Sequence, residues 1–71
     1  MLFDNSLLRS RIYEKYTSIA AFAAAIERSE SFVRNVLNNK SQFTCKDIVR
    51  AAAELDLTDN QITPYFFTPA E

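Results

Sequence analysis

Apolar residues recur at helical spacing along most of this chain, and the alternation of a surface strand is missing throughout. The clearest stretch is Ile19, Phe22, Ala23 and Ile26. These follow i, i+3, i+4, i+7, which gives a helix one apolar face, and the alanines between them have the best helix propensity available. Ser18 stands ahead of them as an N-cap. Upstream, Leu8, Ile12 and Tyr16 form a second stripe, predicting a first helix capped by Asn5 or Ser6 and running to about Tyr16. Downstream, Glu27, Arg28 and Ser29 break the pattern. Ser29 followed by acidic Glu30 opens a third helix to about Leu37, with Val33, Val36 and Leu37 inward and Glu30, Ser31, Arg34, Asn35 and Asn38 outward.

Asn38-Asn39-Lys40-Ser41 has loop chemistry, because asparagine tolerates the left-handed conformation that ends helices. Thr44 and Asp47 then mark a fourth helix, whose predicted core face is Ile48, Val49, Ala52 and Leu55 and whose end lies near Asp56. Thr58-Asp59-Asn60-Gln61 is a capping box and starts a fifth helix, with Pro64 and Pro69 expected to limit its extent. Tyr65, Phe66 and Phe67 are expected to close the bundle, with a dimer contact as the alternative. The sum is an all-α, compact five-helix bundle in which residues 1–71 form a single domain.

Composition narrows what such a domain can do. The chain has 71 residues and no histidine, tryptophan or glycine, and Cys45 is its one cysteine. Metal sites of the Cys/His type, disulfide frameworks and glycine-rich phosphate loops are thereby excluded, and no cofactor is expected. No nucleophile and base pair is visible, so an enzyme is not expected. Cys45, without a histidine to activate it, reads as a small filler residue. The lone thiol, together with a start that lacks an export signal, leads us to expect a cytoplasmic protein. The longest uncharged, largely apolar window, Thr17 to Ile26, is far shorter than the roughly 20 residues needed to span a bilayer.

Net charge is −1, from eight Lys and Arg against nine Asp and Glu. All eight bases lie before residue 54, whereas Glu54, Asp56, Asp59 and Glu71 follow it with no base among them. A basic body with an acidic end presents a different potential from a uniformly neutral protein.

The join between the second and third helices is the most informative feature. Only about three residues separate Ile26 from the helix that Ser29 opens, and Ala23 is small enough to let two helices approach closely. Such a joint makes the second helix cross the first steeply, as in a helix-turn-helix. Ser18 to Asn39 resembles the helix-turn-helix of the lambda/434 repressor and Cro-like family. The run Leu37 to Thr44, the helix after it and Ile62 to Phe67 are similar to small Cro/CI-type regulators of phages and mobile elements in low-GC Gram-positive bacteria. The resemblance spans about residues 6 to 67.

That resemblance implies a sequence-specific transcriptional regulator, a repressor that binds a double-stranded DNA operator as a homodimer with its third helix in the major groove. It places base-reading positions at Glu30, Ser31 and Asn35, with Phe32 and Arg34 as neighbours able to reach the groove. Asparagine can pair with adenine, glutamate can accept from cytosine, phenylalanine can pack on a thymine methyl, and arginine can bind guanine or phosphate. It places phosphate contacts at Ser18, Asn38, Asn39 and Lys40, with Arg9, Arg11, Lys15 and Lys46 as further sources of positive potential. Four to six phosphate contacts would give a salt slope of roughly −4 to −5.

Three positions depart from the family pattern. Ile19 stands where a phosphate-binding glutamine is usual, Glu27 where the turn has glycine, and Arg28 where an apolar residue follows it. Glu27 either takes a left-handed conformation, at about 1–2 kcal/mol, or the turn is built differently. The rival expectation is a protein-interaction module, such as an antirepressor, that keeps the fold without binding DNA.

Overall fold

Four of the five helices begin at a serine or threonine N-cap that is bonded to a residue of the first turn. The computed structural model describes residues 2–70. Its helices are α1 (Ser6–Lys15), α2 (Ile19–Ala25), α3 (Glu30–Leu37), α4 (Cys45–Glu54) and α5 (Asp59–Phe66). Ser18 Oγ accepts from the Ala21 amide at 3.1 Å, and Ser29 Oγ from the Phe32 amide at 3.1 Å. Thr44 and Asp47 form a reciprocal box, each side chain accepting from the other's amide at 3.1 and 3.0 Å. At α5 the Thr58 amide donates to Gln61 Oε1 at 2.9 Å.

α1 departs from this pattern. Asp4 Oδ1 accepts from the Ser6 amide at 3.0 Å, and the Asn5 side chain, expected to cap α1, turns to another helix. Its Nδ2 donates to the carbonyls of Val36 at 3.3 Å and Leu37 at 3.2 Å, satisfying the open C-terminal end of α3.

Three helices end in the same way, in a chain without glycine. Glu27, Asn39 and Asp56 have φ of 60, 63 and 54°, each one residue past a helix cap. After α2, the amides of Glu27 and Arg28 return to the carbonyls of Ala24 (3.1 Å) and Ala23 (2.9 Å). After α3, those of Asn39 and Lys40 return to Val36 (3.0 Å) and Asn35 (2.7 Å). After α4, those of Asp56 and Leu57 return to Ala53 (3.3 Å) and Ala52 (2.9 Å). These are Schellman closures, which ordinarily recruit glycine. Side chains with a Cβ accept the left-handed conformation here because the paired hydrogen bonds repay part of its steric cost.

The core gathers Leu8 and Ile12 from α1, Ile19, Phe22 and Ala23 from α2, Val33 and Leu37 from α3, Ala51 and Ala52 from α4 and Phe66 from α5, with Ile26 and Leu55 from two helix caps. α4 is rotated from the expected face. Val49 is 69% exposed and Ala51 is fully buried, so the inward stripe is Ile48, Ala51, Ala52 and Leu55. That set follows i, i+3, i+4, i+7, whereas Val49 lies a further 100° around the helix. Cys45, expected as filler, is exposed on the first turn of α4.

Pro64 does not end α5, which runs on to Phe66. The ring removes one intrahelical hydrogen bond, but Phe67 still donates to the Thr63 carbonyl at 2.9 Å and the Thr68 hydroxyl to that of Pro64 at 2.7 Å. Burial of Phe66, worth about 1.5–3 kcal/mol, favours carrying the helix one turn further.

The two ends of the described chain meet. Phe3 and Pro69 form an antiparallel bridge, flanked by Asp4 donating to Thr68 at 2.8 Å and Ala70 donating to Leu2 at 3.0 Å. Pro69 lacks an amide proton, so the outer edge of this short ribbon has no donor there. Among the described residues no helix is long and apolar enough to cross a membrane.

Candidate nucleic-acid interface

Ile26, Glu27, Arg28 and Ser29 join α2 to α3. The left-handed conformation at Glu27 resolves the turn in favour of the first of the two expected geometries. Arg28, where an apolar residue was the usual choice, performs an apolar residue's packing with its guanidinium. The group lies 3.7 Å from the centroid of the Phe32 ring, and its Nη1 is 3.8 Å from Oδ2 of the buried Asp47. Glu27 is held by Arg50 at 2.5 Å. Two ion pairs to α4 therefore fix the turn, one of them with a carboxylate that also caps α4. A planar cation can stack and pair at once, which an aliphatic side chain cannot.

The outer face of α3 carries what the sequence promised in type and exposure. Glu30, Ser31, Arg34, Asn35 and Asn38 are all exposed, and Val33, Val36 and Leu37 are buried behind them. Arg34 is engaged on that face by Glu30, whose Oε2 lies 2.8 Å from Nε and 2.7 Å from Nη2. An exposed i, i+4 pair of this kind is worth only about 0.3–0.5 kcal/mol, so the guanidinium is released readily to a stronger anion.

Phe32 does not stand free on this face. It is half-buried, packed on the core, tilted against Phe43 with centroids 5.9 Å apart and covered by Arg28. Its position one step off the buried stripe leaves three roles open, edge of the core, partner contact and groove contact, and the structure places the ring at the edge of the core.

Among the expected phosphate contacts, Asn38 and Lys40 are exposed at the end of α3, and Lys40 has no ion-pair partner among the described residues. Ser18 uses its hydroxyl oxygen as the cap of α2. Asn39 is committed elsewhere: its Oδ1 accepts from the Phe3 amide at 2.9 Å and its Nδ2 donates to the Phe3 carbonyl at 3.0 Å. Ile19 is wholly buried and offers nothing polar. Arg11, Lys15, Arg28, Arg34 and Arg50 are in ion pairs, leaving Arg9, Lys40 and Lys46 as the uncompensated bases among the described residues.

Arg28, Asp47 and Arg50 were not singled out as a unit from sequence. Arg28 lies ahead of the Ser29 N-cap and outside α3, so its four-residue spacing from Phe32 is not a helix-pair signal. The two ion pairs to α4 carry no local signal either.

No curated protein matches the chain. Over residues 1–69 it matches the family described as "Protein of unknown function (DUF739)", and since the match takes in nearly the whole sequence, the chain belongs to that family.

Proposed function

We propose that the protein is a sequence-specific double-stranded DNA-binding transcriptional regulator of the Cro/CI type, with a lambda-repressor-like fold in which α2 and α3 form the helix-turn-helix. The observation that carries this reading is α3 itself: a capped eight-residue helix, tightly joined to α2, with an exposed outer row of Glu30, Ser31, Arg34 and Asn35 continued by Asn38 at its cap. Asn35 and Arg34 supply the hydrogen-bonding patterns that read adenine and guanine. Lys40 and Asn38 flank the end of the helix where a backbone phosphate would pass.

Each copy carries one α3, whereas half-sites one DNA turn apart lie about 34–36 Å from each other. One copy therefore serves one half-site, and a homodimer is needed for two. If Arg9, Lys40 and Lys46 are the bases that meet phosphate, the salt slope per protomer is nearer about −3 than the −4 to −5 of four to six contacts.

Gel-shift titration against the DNA upstream of the coding region tests this. Asn35→Ala should weaken the specific complex by about 1–3 kcal/mol, and Lys40→Ala should weaken all complexes uniformly. Equal, weak binding of wild type to every duplex removes the specificity claim. The second reading, a protein-interaction module such as an antirepressor, is favoured by the internal neutralisation of Arg34 by Glu30 and by the burial of Ile19. A protein partner recovered together with no DNA binding at low salt would place it first.

A further inference from the structure

A cavity of about 120 Å3 lies where the N-terminal arm, the loop after α3, α4 and α5 come together. Its walls are the rings of Phe3, Phe43, Phe66 and Phe67 with the aliphatic side chains of Val36 and Ile48. The rings are already arranged edge to face, Phe43 against Phe66 at 6.1 Å and Phe3 against Phe67 at 5.9 Å, leaving ring faces and edges to line the space between them. No lining residue carries a charge. Of the four polar residues on the wall, Asn39 bonds Phe3 with both ends of its amide and the Asn5 amide bonds α3, leaving the side chains of Ser41 and Gln42 as the wall's remaining polar groups. Water needs two to four polar partners to be held, so a space of this composition favours an apolar occupant.

We propose that this cavity is a binding site for a small, uncharged, single-ring aromatic compound. The size agrees: about 120 Å3 is close to the roughly 150 Å3 of an apolar cavity that takes benzene, and here the space opens to solvent on one side, which gives a ring a way in. The chemistry agrees too, because aromatic walls reward an aromatic guest with edge-to-face contacts at centroid separations of about 4.5–7 Å. A charge carried in among the rings meets no partner of opposite sign and is disfavoured there. The wall includes Asn39, which ties the arm to the end of α3, so an occupant bears directly on that tie.

The test is an amide-shift titration of the full chain by NMR, with benzene as probe and benzoate as its charged counterpart. Saturable shifts with benzene at Val36, Asn39, Phe43, Ile48 and Phe66, and none of that kind with benzoate, are expected. Ile48→Phe and Val36→Leu, which fill the space, should weaken benzene at least tenfold while keeping the helical spectrum. Non-saturating drift with benzene, equal response to benzoate, or undiminished affinity in a folded filled variant overturns the proposal. Should both variants unfold, the benzene and benzoate comparison on wild type alone decides.

Discussion

The side chain of Asn39 closes a two-bond ring on the backbone of Phe3, accepting from its amide at 2.9 Å and donating to its carbonyl at 3.0 Å. The same residue has φ 63° and ends α3. One asparagine thus terminates a helix and fastens the arm that crosses its end. Two substitutions separate the roles. Asn39→Gly keeps the turn and loses both bonds, and should cost about 1–2 kcal/mol. Asn39→Ala adds the left-handed penalty and should cost about 2–4 kcal/mol. Urea denaturation ranks them, and equal losses would mean the conformational role is negligible.

Glu27 sits at the left-handed position between α2 and α3 while its carboxylate pairs with Arg50. Relief of about 1–2 kcal/mol on Glu27→Gly is opposed by the loss of an exposed ion pair worth up to about 1 kcal/mol. The net expectation is a gain of between zero and about 2 kcal/mol. Glu27→Ala loses the pair without the relief and should be less stable than wild type. Thermal melts of the two variants should move in opposite directions.

Stability should fall at both ends of the pH scale for identified reasons. The Tyr16 hydroxyl donates to Glu54 Oε1 at 2.7 Å, and that bond, with burial and the nearby carboxylates, raises its pKa above the usual 10.0. The contribution is present below pH 10 and is lost as pH rises through the elevated value, so Tyr16→Phe should flatten the alkaline limb. Asp56 is held below the usual 3.8 chiefly by the hydrogen bond from Lys15 at 2.7 Å, and Asp4 by hydrogen bonds from Ser6. Their contributions are present above 3.8 and fade as pH falls through the lowered values. NMR titration of Asp56 in Lys15→Ala should show its pKa moving back up.

The register of α4 can be tested with two residues of opposite expectation. Val49 is 69% exposed, and Val49→Ala should change stability by no more than about 0.5 kcal/mol. Ala51 is fully buried, and Ala51→Leu should cost about 1–3 kcal/mol by overpacking. Reversed magnitudes would restore Val49 to the inner face.

The helix starts were legible because capping is local: Ser18, Ser29, Thr44 and Thr58 sit within three residues of the groups they bond. Buried stripes on α2 and α3 were legible for the same reason, as was exposure of the outer row of α3. α4 was misread by one position because Ile48 and Val49 are equally apolar, and only the neighbouring helices decide which faces inward. Asn5 and Asn39 were read as a cap and a phosphate contact, whereas each reaches more than 30 residues along the chain to a backbone partner. Arg28 was read as an interruption, because its partner Asp47 lies on a different helix. What local pattern cannot supply is the choice among partners that folding brings together.

The bridge between Phe3 and Pro69 joins positions at nearly opposite ends of the described chain. A contact so distant in sequence carries a large loop-closure cost and gains little until the helices are assembled, so the ribbon closes late in folding and opens early. Its opening would part the Phe3 ring from that of Phe67, which is already exposed, without disturbing the buried helix contacts. The molecule therefore has a built-in seam, and amide hydrogen exchange at Asp4 and Ala70 should run faster than at Phe22 or Val33 under native conditions.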